Sequence, residues 1–226
     1  MSRTATVPLP AGALYGRLLA TAAQHVLGGG PPAQGRVRSA DGSLAPLPLD
    51  RWVGAADAGD AAVLALAEPA VLDLGCGPGR HLAELRADGK VALGVDLSPV
   101  AVRLARRRGA AALPGDLFGT VPWAGRWRTA LLLDGNIGIG GAPVLLLRRT
   151  RELLASGGEA LVELDPPGAP TLRTRVRLEA PDVVSEWFAW ARVGTDGIGP
   201  LAEDAGLAVD ETLCAGGRWL ARLRRP

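Results

Sequence analysis

From position 71 onward, short apolar runs alternate with amphipathic stretches along the chain. The runs are nearly continuous in apolar residues, which is typical of strands buried in a parallel sheet, and they occupy 71–74, 91–95, 110–113, 130–133 and 160–164. Helices are predicted between them, most clearly from Ser98, a good N-cap followed by Pro99, to a stop at Gly109, and over 143–156. Strands that alternate with helices predict an α/β fold, in which right-handed crossovers join parallel strands.

The pattern differs on either side of this core. Ahead of it we predict a helix over 13–26, a hairpin over 37–49 that turns at Asp41–Gly42, and an Ala-rich helix over 55–67. Behind it we predict strands over 172–178 and 187–193, a helix over 195–205, and a terminal hairpin of strands 207–214 and 218–223. The chain therefore divides into an N-terminal segment, 1–67, and a core, 68–226, with an insertion at about 170–194.

Composition narrows the class of protein. Of the 226 residues, 48% are hydrophobic and 21% are charged, which excludes disorder, and no apolar run is long enough to span a membrane. The net charge of +2 disfavours a nucleic-acid partner. The two cysteines are far apart and residues 1–10 lack the apolar core of a secretory signal, so we expect a cytoplasmic protein. All but one of the 25 basic residues are arginine, a bias typical of a GC-rich, actinobacterial-type genome.

The most informative stretch follows the strand at 71–74. The strand carries Asp73 near its end, and Gly75, Gly77 and Gly79 then turn the chain into a helix. Glycines at these positions let the backbone approach a ligand with no Cβ in the way, and such a turn lies where open α/β sheets bind ligands. The dinucleotide fingerprint would place its third glycine at position 80, where this chain has Arg80. An NAD(P) site is therefore disfavoured.

The Asp-x-Gly-x-Gly-x-Gly pattern resembles motif I of the class I S-adenosylmethionine-dependent methyltransferases, and matches to later motifs extend the resemblance over roughly 68–225. The resemblance implies a doubly wound, Rossmann-like sheet of seven mostly parallel strands that ends in an antiparallel hairpin. It implies S-adenosylmethionine as cofactor, with Asp96 on the ribose hydroxyls and Asp116 on the adenine amino group. The cofactor-binding residues that it implies are Asp73, Gly75, Cys76, Gly77, Gly79, Asp96, Leu97, Asp116, Leu117 and Asp134.

Further candidates face a substrate. They are Tyr15 on the first helix, Asn136 in the glycine-rich loop after Asp134, and Trp187, which together with Phe188 and Trp190 forms either a hairpin core or one wall of a pocket. His81 is more typical of a first-turn helix residue than of a base, no spacing suits a metal, and no catalytic base is evident.

These features predict methyl transfer to a small-molecule acceptor. The N-terminal segment and the insertion are the parts that vary within the family, so we expect them to form the lid and the acceptor pocket. An RNA or protein methyltransferase, a non-catalytic S-adenosylmethionine-binding protein and an NAD(P)-dependent oxidoreductase remain alternatives. The sequence leaves the acceptor atom and the oligomeric state open.

Overall fold

The computed structural model describes residues 7–226. We predicted that residues 1–10 are not a secretory signal, and residues 1–6 of that segment lie outside the described residues. Seven α-helices and twelve β-strands are numbered here in chain order. They are α1 (Ala11–Val26), β1 (Arg36–Ser39), β2 (Leu44–Pro46), α2 (Leu49–Val53), α3 (Ala58–Leu64), β3 (Val71–Leu74), α4 (Arg80–Ala87), β4 (Ala92–Asp96), α5 (Pro99–Arg107), β5 (Ala112–Pro114), β6 (Trp127–Leu132), α6 (Pro143–Leu153), β7 (Leu154–Leu164), β8 (Leu172–Ala180), β9 (Val183–Val184), β10 (Phe188–Arg192), α7 (Ile198–Asp204), β11 (Ala208–Ala215) and β12 (Arg218–Arg224). Short 3-10 helices cover Asn136–Gly141 and Thr195–Gly197.

The main sheet has seven strands in the order β11-β12-β7-β6-β3-β4-β5. The five strands from β7 to β5 pair in parallel, whereas β12 is antiparallel to β7 and to β11. This is the predicted seven-stranded, mostly parallel sheet with a C-terminal antiparallel hairpin. Strand β3 is buried at every position, because helices cover both faces of a parallel sheet.

A second sheet joins two parts of the chain that are far apart in sequence. Its strand order is β10-β8-β1-β2, and β9 also pairs with β8. Strand β1 of the N-terminal hairpin lies antiparallel to β8, with Val37 opposite Leu178, and β10 pairs with the other edge of β8, with Phe188 opposite Val176. The two variable segments predicted from sequence therefore form one sheet.

The second sheet is amphipathic because side chains alternate along each strand. Its apolar face carries Val37, Val176, Leu178, Phe188 and Trp190. Helix α1 packs in the same apolar cluster as this face and as Ala101 of α5, so it links the second sheet to the core. We call α1, α2, β1, β2, β8, β9 and β10, with the loops that join α1 to α2 and β8 to β10, the outer layer.

Several predicted boundaries are wrong, and three of them are instructive. Helix α6 ends at Leu153, and Leu154 already begins strand β7, so the predicted helix over 143–156 is too long. The helix predicted over 55–67 is shorter, because Asp57 caps α3 in a capping box with Asp60 and the helix ends at Leu64. The strand predicted over 110–113 begins two residues later. None of the helices within residues 7–226 has the length and apolarity needed to cross a membrane.

Candidate active site

A cavity of about 560 Å³ lies between the carboxyl ends of β3, β4, β5 and β6 and the outer layer. Its volume is within the range of about 300–1,000 Å³ that is usual for small-molecule sites. The core contributes Gly75, Cys76, Gly77, Pro78, Arg80, His81, Val95, Asp96, Leu97, Ser98, Gly115, Asp116, Leu117, Leu133, Asp134, Asn136 and Ile139 to its lining. The outer layer contributes Ala11, Gly12, Tyr15, Val37, Leu47, Trp52, Val176, Leu178, Phe188 and Trp190.

The glycine turn after β3 forms one edge of the cavity. Gly75, Gly77 and Gly79 all have positive φ, at 78°, 52° and 79°. Gly75 and Gly77 line the cavity, as predicted. Gly79 does not: a Cβ there would lie 2.6 Å from Cβ of Ala105, so this glycine lets the turn pack against α5. Its role beside the cofactor stays a prediction.

Asp96 is held at the end of β4 by two backbone hydrogen bonds. Its Oδ2 accepts from Gly77 N and its Oδ1 from Ser98 N, both at 2.8 Å. Burial, and secondarily Asp73, raise the pKa of Asp96, although both backbone hydrogen bonds favour the charged form. Each carboxylate oxygen keeps a lone pair free. The Asp96 side chain can therefore accept two hydroxyl hydrogen bonds from a ligand.

The next part of the lining follows β4 and β5. The Leu97 side chain is 71% exposed although it lines the cavity, and Leu117 is buried. Asp116 is exposed, and its Oδ1 accepts from Phe118 N at 2.9 Å. The second Asp116 oxygen is free to accept an amino group. This end offers apolar surface with one carboxylate, as an adenine ring would require.

Cys76 lines the cavity, but its thiol is not reactive. Burial raises the pKa of Cys76 far above its usual value, and the carboxylates of Asp73 and Asp96 raise it further. A thiol that stays protonated is a poor nucleophile. Cys76 therefore has a structural role in the turn.

Asp134 belongs to a buried charge network that the sequence did not predict. Its carboxylate accepts from Arg51 (3.0 Å), Arg80 (2.7 Å) and Arg218 (3.0 Å). The same three arginines bind Asp60, whose side chain has no exposure, at 2.9, 2.7 and 2.8 Å. Burial alone would raise the pKa of Asp60, but hydrogen bonding from His81 and the charge of Arg80 hold it well below its usual value. Asp134 lines the cavity, and its negative charge is balanced by these three arginines.

Asp73 is buried next to this network. It is 1% exposed and does not line the cavity, and its contact with the cofactor stays a prediction. Its Oδ2 lies 3.8 Å from Nδ1 of His81 and has no hydrogen-bond partner among the described residues. Burial lowers the pKa of His81, but the hydrogen bond to Asp60 and the nearby carboxylate of Asp73 outweigh it and the net shift is upward. Both ring nitrogens of His81 thus face carboxylates.

The three substrate-facing candidates have different positions. Tyr15 lines the cavity, where its hydroxyl would lie 3.3 Å from a Cβ at Gly77. Asn136 also lines the cavity, and its Nδ2 donates to the carbonyls of Leu74 and Gly75 at 2.9 Å. Trp187 does not line it, and its ring instead stacks on Arg177, 5.0 Å away. A contact between Trp187 and the substrate stays a prediction.

From the sequence, Phe188 and Trp190 could form either a hairpin core or one wall of a pocket. These two residues, on the inner face of β10, form the aromatic wall, and Trp52 of α2, which the sequence analysis did not single out, also lines the cavity. The two-residue spacing of Phe188 and Trp190 was a usable signal, because residues i and i+2 share one face of a strand. Trp52 and the partners of Asp60 gave no such signal, since only the tertiary fold brings them together.

Several features of the cavity fit S-adenosylmethionine. Gly75 and Gly77 leave open backbone beside a carboxylate, Asp96, that can accept two hydroxyls. Nε of Arg80 is a buried donor without a partner among the described residues, and Arg80 lines the cavity, so a ligand carboxylate would match it. The rest of the Arg80 guanidinium is held by Asp60 and Asp134.

Comparisons with known proteins agree with this geometry. Residues 71–119 match a family described as a methyltransferase domain. A SAM-dependent methyltransferase from Bacteroides fragilis, crystallised with S-adenosyl-L-homocysteine, is 25% identical, covers 98% of both chains and has a TM-score of 0.76. The search of curated proteins found no match.

Two more solved structures share the fold at lower identity. The 1,6-didemethyltoxoflavin-N1-methyltransferase of Burkholderia thailandensis is 20% identical over 97% of this chain and 92% of its own, with a TM-score of 0.57. The sugar N-methyltransferase KedS8 of Streptoalloteichus is 20% identical over 69% and 79%, with a TM-score of 0.52. The similarity supports S-adenosylmethionine as the cofactor, as expected from the sequence, and it supports an enzyme of the S-adenosylmethionine-dependent methyltransferase kind.

Proposed function

We propose that the enzyme transfers the methyl group of S-adenosylmethionine to a small-molecule acceptor, and that the outer layer is the acceptor cap. The cavity itself carries this proposal. One continuous space is lined on one side by the glycine turn, Asp96 and Asp116, and on the other by α1, α2 and the second sheet. A site lined on both sides suits a small acceptor better than a nucleic acid or a protein.

We assign the cofactor-facing roles as follows. Asp96 accepts the two ribose hydroxyls, Asp116 accepts the adenine amino group, and Leu97 and Leu117 contact the ring. Nε of Arg80 donates to the carboxylate of the cofactor's amino-acid portion. The support is that each of these five residues lines the cavity and that the side-chain atoms of Asp96, Asp116 and Arg80 have bonding capacity left.

The methyl group of S-adenosylmethionine is bonded to a positively charged sulfur, and the C–S bond breaks as the acceptor's nucleophilic atom bonds to the methyl carbon. The protein's part is therefore mainly alignment of the acceptor and exclusion of water. Tyr15 suits positioning: burial, and then the charges of Asp96 and other neighbours, raise its pKa well above its usual value. Its phenol stays neutral and donates a hydrogen bond, while a proton that leaves the acceptor passes to water.

The test uses methyl-labelled S-adenosylmethionine and an extract of the source organism divided into small molecules and macromolecules. The proposal predicts label in the small-molecule fraction and formation of S-adenosylhomocysteine. Label confined to RNA or protein would support the macromolecular alternative. Binding of S-adenosylhomocysteine without any label transfer would support the non-catalytic alternative. The Asp96→Asn variant, which loses a ribose acceptor, controls for transfer by contaminating enzymes.

A further inference from the structure

The part of the cavity formed by the outer layer has a distinct chemistry. Its lining residues carry no charged side chain: they are aliphatic, glycine or aromatic. The polar atoms of these side chains are the Tyr15 hydroxyl and the indole nitrogens of Trp52 and Trp190. An acceptor in this part therefore meets apolar surface and very few hydrogen-bonding groups.

The aromatic residues are arranged as a wall. Phe188 and Trp190 lie two residues apart on the inner face of β10, with ring centroids 6.1 Å apart and planes at 89°. Val176 lies directly opposite Phe188 on β8, and Val37 lies opposite Leu178, so the aromatic pair continues into a flat aliphatic surface. Tyr15 and Trp52 form a second edge-to-face pair, 6.1 Å between centroids, that also lines the cavity.

The carboxylates in the lining are either paired within the protein or assigned to the cofactor. Asp134 is paired with three guanidiniums, and Asp96 accepts two backbone hydrogen bonds beside the glycine turn. Asp116 lies at the opposite, adenine-facing end. A cationic acceptor would find no uncommitted carboxylate among the described residues next to the outer layer. A sugar would leave hydroxyls without partners, each of which weakens binding.

We propose that the acceptor is a flat, uncharged aromatic or heteroaromatic ring system that lies against Phe188 and Trp190. This inference rests on the proposed function, because it assumes that the outer layer holds the acceptor. The methyl group then passes to a ring substituent or ring atom, the C–S bond electrons stay on sulfur, and any proton on the acceptor atom is released to water.

The test is a binding screen on the full chain saturated with S-adenosylhomocysteine, which keeps the probes out of the cofactor site. The probes are matched pairs of a flat ring and its saturated counterpart, such as phenol and cyclohexanol or quinolin-8-ol and decahydroquinolin-8-ol, together with glucosamine and tetramethylammonium. Binding is detected by ligand-observed NMR and ranked by calorimetry. The proposal predicts that hits come from the flat members of the pairs.

The Phe188→Leu variant then tests whether the probes that bind contact Phe188. It keeps apolar volume while removing the ring, and we expect flat probes to bind about three- to tenfold more weakly. Trp187→Leu is the matched control: it removes the adjacent aromatic ring, which stacks on Arg177 outside the cavity, and should leave probe affinity unchanged. Both variants should bind S-adenosylhomocysteine as the wild type does.

Two results overturn the inference. One is a screen in which saturated rings, glucosamine or tetramethylammonium bind as well as the flat probes, or in which no flat probe binds. The other is equal loss of affinity in Phe188→Leu and Trp187→Leu. Either result leaves the proposed function standing if S-adenosylhomocysteine binds, whereas failure of S-adenosylhomocysteine to bind would contradict the proposed function itself.

Discussion

Asp96 is hydrogen-bonded to the glycine turn, and we propose that it binds the cofactor's ribose. Its two oxygens already accept from Gly77 N and Ser98 N, so the carboxylate is fixed in place before any ligand arrives. The Asp96→Asn variant replaces one acceptor oxygen with a donor that faces the ribose. We predict at least about a tenfold loss of S-adenosylhomocysteine affinity, since charge-assisted hydrogen bonds contribute about 1.5–3 kcal/mol each.

Calorimetric titration measures this loss. Asp88→Asn is the matched control, because Asp88 is exposed at the end of α4 and carries the same charge away from the cavity. Equal affinities for wild type and Asp96→Asn, with both folded, would show that the ribose lies elsewhere.

Asp60 holds the buried charge network together. Its side chain is fully buried against three guanidiniums, so removing the carboxylate leaves buried positive charge without its partner. We predict that Asp60→Ala lowers the free energy of unfolding by about 3–5 kcal/mol. Asp182→Ala, which breaks the exposed pair with Arg17, should lower it by less than about 1 kcal/mol. Similar losses in urea denaturation for the two variants would contradict this assignment.

His81 gives the network a pH dependence. Burial lowers its pKa, but Asp60 and Asp73 outweigh that effect, so its pKa in the folded protein exceeds the unfolded value of about 6.5. Its contribution to stability is therefore complete below about pH 6.5 and is lost as the pH rises through the raised pKa. We predict that the unfolding free energy of the wild type falls from pH 6 to pH 9, by about 1.4 kcal/mol for each tenfold difference between the acid dissociation constants of His81 in the folded and unfolded protein.

Urea titrations of His81→Gln and His25→Gln at both pH values test this prediction. His81→Gln should reduce the loss, whereas His25→Gln, at the other histidine of the chain, should retain it. An unchanged pH dependence in His81→Gln would assign the effect to other groups.

Residues with a local signature were predictable from the sequence. Gly75, Gly77 and Asp96 follow the strand-turn-helix pattern directly, and all three line the cavity. Gly79 and Trp187 lie outside the cavity lining and contact distant partners, Ala105 of α5 and Arg177 of β8, which the local pattern does not reveal. The partners of Asp60 could not be found at all, since Arg80 and Arg218 lie 20 and 158 positions away along the chain.

At the scale of elements, strand β10 depends on the glycine-rich loop after β6. A Cβ at Gly138 would collide with the carbonyl of Ala191 and lie 2.6 Å from Nε1 of Trp190. Only glycine therefore lets the loop pack directly against β10. This contact fixes the aromatic wall relative to the core.

We predict that Gly138→Ala pushes β10 away and lowers methyl transfer by at least about tenfold, a loss typical of misalignment by about 1 Å. S-adenosylhomocysteine affinity should stay within about twofold, since the cofactor-facing turn is not displaced. Gly135→Ala is the control from the same loop: its φ is positive but a Cβ would meet nothing within 4 Å, so it adds only backbone strain. Equal loss of activity in both variants would contradict a steric role for Gly138.

The elements themselves were largely predictable, because apolar runs and helix caps are local signals. Ser98 marks the start of α5, as expected, and Gly216–Gly217 form the turn of the predicted terminal hairpin. The pairing of β1 with β8 was not predictable, since the two strands are far apart in sequence and neither carries a register signal. The end of α6 was misjudged because β7 follows it without a loop, and Gly157–Gly158 lies inside the strand.

At the scale of the whole molecule, two sheets and α1 enclose one cavity. The core sheet presents fixed carboxylates and open backbone, and the second sheet presents an uncharged apolar face. The mostly parallel sheet and its terminal hairpin follow from the sequence pattern and the family resemblance. The enclosed cavity does not follow from the sequence, because it forms only where the N-terminal hairpin and the insertion pair with each other.

The central claim is that this cavity holds S-adenosylmethionine, and titration with S-adenosylhomocysteine by calorimetry tests it most directly. We predict one site per chain with micromolar or tighter affinity. At about 100 times its dissociation constant the ligand adds about 2.7 kcal/mol of stability, which raises Tm by roughly 5–10 °C for a chain of this size. A folded protein that shows neither heat of binding nor a shift in Tm would contradict the account.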